Sequence, residues 1–242
     1  MALRGRRTPA LLGLDSEPMT TFLTVPTRGD HPELLENLIQ TSSVPRENMV
    51  IVRTADVPVP ANVAILDAEG PLNIHRWWNM GIEYAQANGA SEVAVLNDDL
   101  IINSATVPDL VKALHATGAA IATPGPRDRL YRNRLPLRPL LIGSLWVLDL
   151  QSGLRPSEDF QWWYGDDDLD IRARRNFNGL VTVPVWFDHP HAGEATETSP
   201  ELQKLVAQDE ETFKKTHPLA YSWRILDRKS GGRLRHKWKP SL

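Results

Sequence analysis

The chain has 242 residues, 27 basic and 30 acidic, a formal charge of −3 at pH 7, and no cysteine. This excludes disulfides, thiolate zinc sites and cysteine nucleophiles, gives no global attraction to nucleic acid or acidic membranes, and leaves length for one large α/β domain with a real core. An anionic ligand must therefore be held locally or through a metal.

The first 18 residues, MALRGRRTPALLGLDSEP, begin basic, but the apolar run Pro9 to Leu14 is too short for a secretory core. They read as a flexible extension of a cytoplasmic protein, followed by one domain over 19–217 and a basic tail over 218–242. No stretch approaches transmembrane length.

Strand-like runs follow at TFLTVP (21–26), NMVIVR (48–53), NVAIL (62–66), EVAVLN (92–97), AAIATP (119–124), LLIGSLWVL (140–148) and LVTVPVWF (180–187). Helical patterns separate most of them. The first is expected to start on Asp30 as N-cap, with Pro32 in the first turn, Glu33 at capping-box spacing, and Leu34, Leu35, Leu38 and Ile39 on one face. A second runs from Ile74 to Asn88 and stops at Gly89; a third covers VPDLVKALHATG. This alternation predicts an α/β fold with a mainly parallel central sheet flanked by helices. Residues 125–139 read as a basic, proline-bounded loop whose Arg127, Arg129, Arg132 and Arg134 either clamp an anion or are solvated. No G-x-G-x-x-G, P-loop or G-x-S-x-G motif occurs.

Three polar clusters end or follow apolar runs. In VAVLNDDLII the group Asn97, Asp98 and Asp99 leaves a strand buried on both faces, so it belongs at the carboxyl edge of the sheet, where open α/β sheets bind ligands. Two carboxylates there suit a hard divalent cation, or form a solvated turn. In EDFQWWYGDDDLDIRARRNFNG, Asp166, Asp167 and Asp168 open a helix closed by Gly179. Asp168 and Asp170 face Arg172 and Arg174 at four-residue spacing as ordinary surface ion bridges. Asp166 and Asp167 lack such local partners; they either cap the helix dipole or act as a raised-pKa base under Trp162, Trp163 and Tyr164. In VWFDHPHAG, His189 and His191 offer borderline nitrogen ligands better suited to Mn²⁺ than Mg²⁺, or are structural. Gly143 and Ser144, read as strand residues, leave room for close approach of a ligand. Trp77 and Trp78 read as core, and Trp162 and Trp163 as contacts for a ligand beside the acidic helix.

Four stretches, VPTRGDHPELLENLIQ, GPLNIHRWWNMGIEYA, VLNDDLII and WWYGDDDLDIRAR, taken in this order over residues 20–192, resemble the nucleotide-sugar glycosyltransferases of the A-type fold. The likeness is to their large inverting family 2 and, more distantly, to the beta-1,4-galactosyltransferases. The resemblance implies Asp99 as metal ligand, Asp98 near the ribose or sugar beside Asn97, and His189, with His191 as fallback, completing the metal shell around Mn²⁺ or Mg²⁺. It implies Asp166, with Asp167 beside it, as catalytic base. Asp56 falls where the family recognises the nucleobase, with Pro26, Thr27 and Arg28 lining that pocket. Asn73 and Asn79 match an N-x-G type donor pattern. The implied partners are a nucleoside diphosphate sugar, foremost a UDP-sugar, and an acceptor glycan, protein or other hydroxyl compound, with no stable nucleic-acid partner. A nucleotidyltransferase would open with a glycine-rich basic loop, for which PTRGDHP offers one Arg and one Gly; a non-catalytic sugar-binding protein is the remaining alternative.

Overall fold

The computed structural model describes residues 20–132 and 138–229. The strands are β1 (Thr21–Thr27), β2 (Met49–Arg53), β3 (Ala64–Asp67), β4 (Glu92–Leu96), β5 (Ile101–Ile102), β6 (Ile121–Pro124), β7 (Arg129–Tyr131), β8 (Leu145–Asp149), β9 (Leu180–Val183) and β10 (Phe187–Asp188). The helices are α1 (Pro32–Thr41), α2 (Ile74–Ala87), α3 (Thr106–Thr117), α4 (Gly165–Asn176), α5 (Glu194–Thr198), α6 (Pro200–Thr216) and α7 (Pro218–Lys229).

Eight strands form one sheet in the order β3-β2-β1-β4-β8-β6-β9-β7. The pairs β1–β2, β1–β4, β2–β3 and β6–β9 are parallel; β8 runs antiparallel between β4 and β6, and β7 antiparallel beside β9. Alternation within the central strands feeds two cores. Leu23, Val25, Ala94 and Leu96 pack with Leu35, Leu38, Leu110 and Leu114 of α1 and α3, whereas Phe22, Val93 and Val95 pack with Trp78, Ile82 and Ala85 of α2. Burial on both faces is why β4 carries no polar alternation until it ends. No helix among the described residues is long and apolar enough to cross a membrane.

Several boundaries differ from the sequence expectation. The N-cap of α1 is His31, whose carbonyl accepts from the Leu34 and Leu35 amides at 3.1 Å, while Asp30 is drawn to Arg28 at 3.3 Å. The run 140–148 becomes a strand only at Leu145, because the Ile142 amide donates to Thr123 Oγ1 and the Leu145 amide to the Ile142 carbonyl, leaving Gly143 and Ser144 in a turn. The run 180–187 splits at Pro184, which has no amide to donate to a ladder, and its second part joins β5 in a separate two-stranded sheet. The basic loop contains β7, and α4 stops at Asn176 with Gly179 bonding back to the Ala173 carbonyl. Helix α7 runs twelve residues into the stretch read as tail. The 1–18 extension, Arg134 and the rest of the tail lie outside the described residues.

Candidate active site

The strand end after β4 holds the first half of the site. Beyond Asn97-Asp98-Asp99 the chain buries Leu100 and enters β5, whose Ile101 pairs with Asp188 of β10. That register delivers the next residue, His189, beside Asp99: its Nε2 stands 3.0 Å from both carboxylate oxygens. Burial pushes the Asp99 carboxyl up, but the hydrogen bond and charge of His189 outweigh it and hold the group below its ordinary value. Asp98 Oδ2 accepts from Thr27 Oγ1 at 2.5 Å; burial dominates there and raises the carboxyl to about 6. Two ligand atoms at right angles around an ion about 2.1 Å away stand about 3.0 Å apart. The Asp99–His189 spacing therefore fits a shared divalent cation, and the nitrogen donor suits Mn²⁺ better than Mg²⁺.

The second half is the start of α4. Its first residue, Gly165, passes against the ring of His75, where a Cβ would lie 1.9 Å from Nε2. Burial keeps His75 at a pKa of about 4 and so neutral, with Nδ1–H donating to the Phe160 carbonyl at 2.9 Å. Asp166, half-buried, packs on Gly143, where a Cβ would meet Asp166 Oδ2 at 2.8 Å. The glycine expected to leave room for a donor sugar has this carboxylate packed against it. Burial raises Asp166 against backbone N–H donors and the charge of Arg224.

The catalytic pair expected at Asp166 and Asp167 is divided. Asp167 is buried and ion-paired to Arg224 of α7, a cation that also lies 4.6 Å from the Tyr164 ring centroid. Burial and the Asp166 charge still push it up. Asp168 binds Arg172 at 2.7 Å and His217 at 2.8 Å; these outweigh burial and lower it. Asp170 meets Arg174 at 2.7 Å and accepts from the Leu140 amide, yet burial raises it to about 6. Of the bridges expected at the surface, Asp170–Arg174 is thus buried, at 0 % and 5 % exposure, and Asp168–Arg172 is buried at its acid with Arg172 half-buried. The cause is the 138–141 segment over α4, where the Arg138 carbonyl accepts from Arg174 at 2.6 Å.

One turn joins the halves. The Asn97 amide donates to the Ser144 carbonyl at 2.9 Å, and neighbouring Gly143 touches Asp166, so Asp99, His189 and Asp166 share one edge of the sheet. The Gln161–Trp163 loop leads into α4. Its three successive amides donate to the buried carboxylate of Asp209 at 2.9, 2.7 and 2.8 Å. Trp162 donates to Thr196 Oγ1, meets Trp77 edge-on, and has the Arg28 guanidinium 6.0 Å from its ring centroid; Trp163 is 39 % exposed.

The remaining expected donor residues are dispersed. Asn73 caps α2 by accepting from the Arg76 amide, and buried Asn79 donates to the Pro156 carbonyl and Glu158 Oε1, so both side chains are committed to supporting the 156–158 segment. Pro26 is buried in β1. Asp56 projects outward, its side chain 95 % exposed and paired with Arg53. His191 does not meet Asp99; its Nδ1 lies 2.6 Å from Glu194 Oε2, and its ring stacks on His31. Sequence reasoning missed His31, His75, Glu194, Asp209, His217 and Arg224 as parts of this region. A cavity of about 630 Å³ lined by Ser42, Asn48, Lys112 and His115 contains none of the site residues.

No protein-family profile and no curated protein matches the chain. Solved structures do. Staphylococcus aureus TarS 1–349 superposes with a TM-score of 0.55 at 12% identity, over 82% of this chain and 73% of that one. The same protein in complex with UDP-GlcNAc gives 0.54 at 12%, over 81% and 67%. GalNAc-T7 with UDP, GalNAc and Mn²⁺ gives 0.52 at 12%, over 70% of this chain and 43% of that one. The chain has the A-type glycosyltransferase fold.

Proposed function

We propose that the protein is a metal-dependent inverting glycosyltransferase that moves a sugar from a nucleoside diphosphate sugar, foremost a UDP-sugar, to an acceptor hydroxyl. The observation that carries this reading is the 3.0 Å approach of His189 to Asp99 at the end of a central strand of an A-type fold. Asp166 lies across a single turn from it.

A divalent cation held by Asp99 and His189, Mn²⁺ ahead of Mg²⁺, supplies charge neutralisation for the departing diphosphate. Asp98, locked onto Thr27, faces the ribose or sugar. Asp166 takes the proton from the acceptor hydroxyl as that oxygen bonds to the anomeric carbon and the bond to the diphosphate breaks on the opposite face, which inverts the centre. A carboxylate raised towards ambient pH is a better base than a free one. Asp167 is assigned no proton transfer, since Arg224 occupies it. Trp162 and Trp163, pinned through Asp209, offer apolar faces to the acceptor glycan, protein or other hydroxyl compound. The catalytic unit extends through α7, because His217 and Arg224 hold the acids of α4.

The test is incubation of the full chain with a panel of UDP- and GDP-sugars, with Mn²⁺ or with a chelator, while released nucleoside diphosphate is measured. The reading expects Mn²⁺-dependent release from at least one donor. Absence of release and of any nucleotide-induced rise in melting temperature contradicts it. Formation of pyrophosphate from a nucleoside triphosphate and a sugar phosphate would instead identify a nucleotidyltransferase.

A further inference from the structure

Beside the Asp99–His189 pair lies a second set of metal-ligating side chains. His31, at the N-cap of α1, His191, in the turn after β10, and Glu194, the first residue of α5, bring one ligand atom each to within 4.8 Å of one another. Three separate positions of the chain converge there. The imidazoles of His31 and His191 lie face to face with centroids 3.9 Å apart, and His191 Nδ1 is 2.6 Å from Glu194 Oε2.

We propose that His31, His191 and Glu194 form a second cation site, selective for Zn²⁺ and distinct from the centre at Asp99. Two imidazoles and a carboxylate with a fourth position open to water are a recurrent zinc set. The borderline nitrogen donors disfavour Mg²⁺ and Ca²⁺, which take oxygen ligands. His189 is engaged by Asp99, while His31 and His191 stack on one another, with His31 near enough for its charge to lower the Asp98 and Asp99 carboxyls.

Loading needs small movements only. Tetrahedral ligands about 2.0–2.1 Å from zinc stand about 3.4 Å apart. The His191–Glu194 contact therefore opens by less than about 1 Å, and the two rings turn out of their stack. Glu194 is exposed and the two histidines are half-buried, none of them in the core, and the His31 backbone is fixed independently by the helix start. The consequence is mechanical. A loaded site ties the loop after β1, which carries Arg28 over Trp162, to the segment after β10, which carries His189. Zinc would then stiffen two walls of the cleft without taking part in the chemistry. This inference does not rest on the glycosyltransferase reading.

The test is calorimetric titration of Zn²⁺ alone into the full-length Asp99→Ala variant, into the double variant Asp99→Ala/His31→Ala, and into Asp99→Ala/Glu194→Gln. Circular dichroism confirms that each is folded. The proposal expects one equivalent bound by Asp99→Ala, weakened in either double variant by more than the roughly 10- to 100-fold that loss of an outer partner costs. Co²⁺ substitution should give a visible absorption band in Asp99→Ala that His31→Ala removes. Loss of all Zn²⁺ binding in Asp99→Ala overturns the proposal, as does binding in the double variants equal to that of Asp99→Ala. Nucleotide-sugar turnover is not read in these titrations, so failure here leaves the donor-release test unaffected.

Discussion

The two acidic stations of the cleft are built in opposite ways. At the end of β4, Asp99 meets a histidine and stays ionised; at the start of α4, Asp166 and Asp167 sit together under burial and are driven towards their protonated forms. Carboxylates of the same chemical type are thus shifted in opposite directions by their surroundings, which under the proposed function suits them to different duties. A group held below its ordinary pKa is suited to a cation, and one held above it to accepting a proton near neutral pH.

The sharpest way to break this comparison is to exchange the duties by mutation. Asp166→Asn keeps the size and one acceptor oxygen but removes the proposed base, and sugar transfer should fall by about 10² to 10⁴ while Mn²⁺-dependent nucleotide binding, read by calorimetry, is unchanged. Next in size is the scaffold below the base. Arg174→Met leaves Asp170 buried without its cation and should destabilise the fold by about 3–5 kcal/mol in urea unfolding. Asp99→Ala should weaken Mn²⁺ by more than the roughly 10- to 100-fold that loss of an outer partner costs, with little effect on unfolding in metal-free buffer.

The pH dependence sharpens the same contrast with a smaller effect. Asp98 and Asp170, near 6 in the fold against about 4 in the unfolded chain, hold protons that the unfolded chain has released, so stability falls as pH rises from about 4 to about 6. Asp166 and Asp167, also raised, act in the same direction. Asp99 and Asp168, held low, contribute stability that is present above about pH 4 and lost as pH falls through their folded values. Metal-free melting temperatures should therefore peak near pH 4 and be lower at pH 8; a steady rise up to pH 8 would contradict the assignment. Transfer should show the opposite slope, increasing as Asp166 ionises.

The same contrast explains what was legible in the sequence. The run VAVLN, apolar without alternation and then acidic, is sufficient to put Asp98 and Asp99 at a sheet edge, because a strand buried on both faces leaves one place for carboxylates. Gly89 marked the end of α2 through local backbone chemistry, its positive φ closing the helix. The meeting of His189 with Asp99 was reached through family resemblance, since β5 and β10, at two residues each, are too short to leave a periodic signal. Asp209, His217 and Arg224 were illegible for another reason. Each binds a partner 46 or more residues away, and nothing in its own neighbourhood distinguishes it from a solvated charge. Asp30 misled because a nearby arginine competed successfully for a good capping residue.

Anomalous diffraction from crystals soaked with Mn²⁺ and UDP tests the central claim most directly. The account predicts a metal peak within coordination distance of Asp99 and His189, touching the diphosphate, with Asp166 free of metal. A peak on Asp166 and Asp167, or UDP bound with no metal at Asp99, would contradict it.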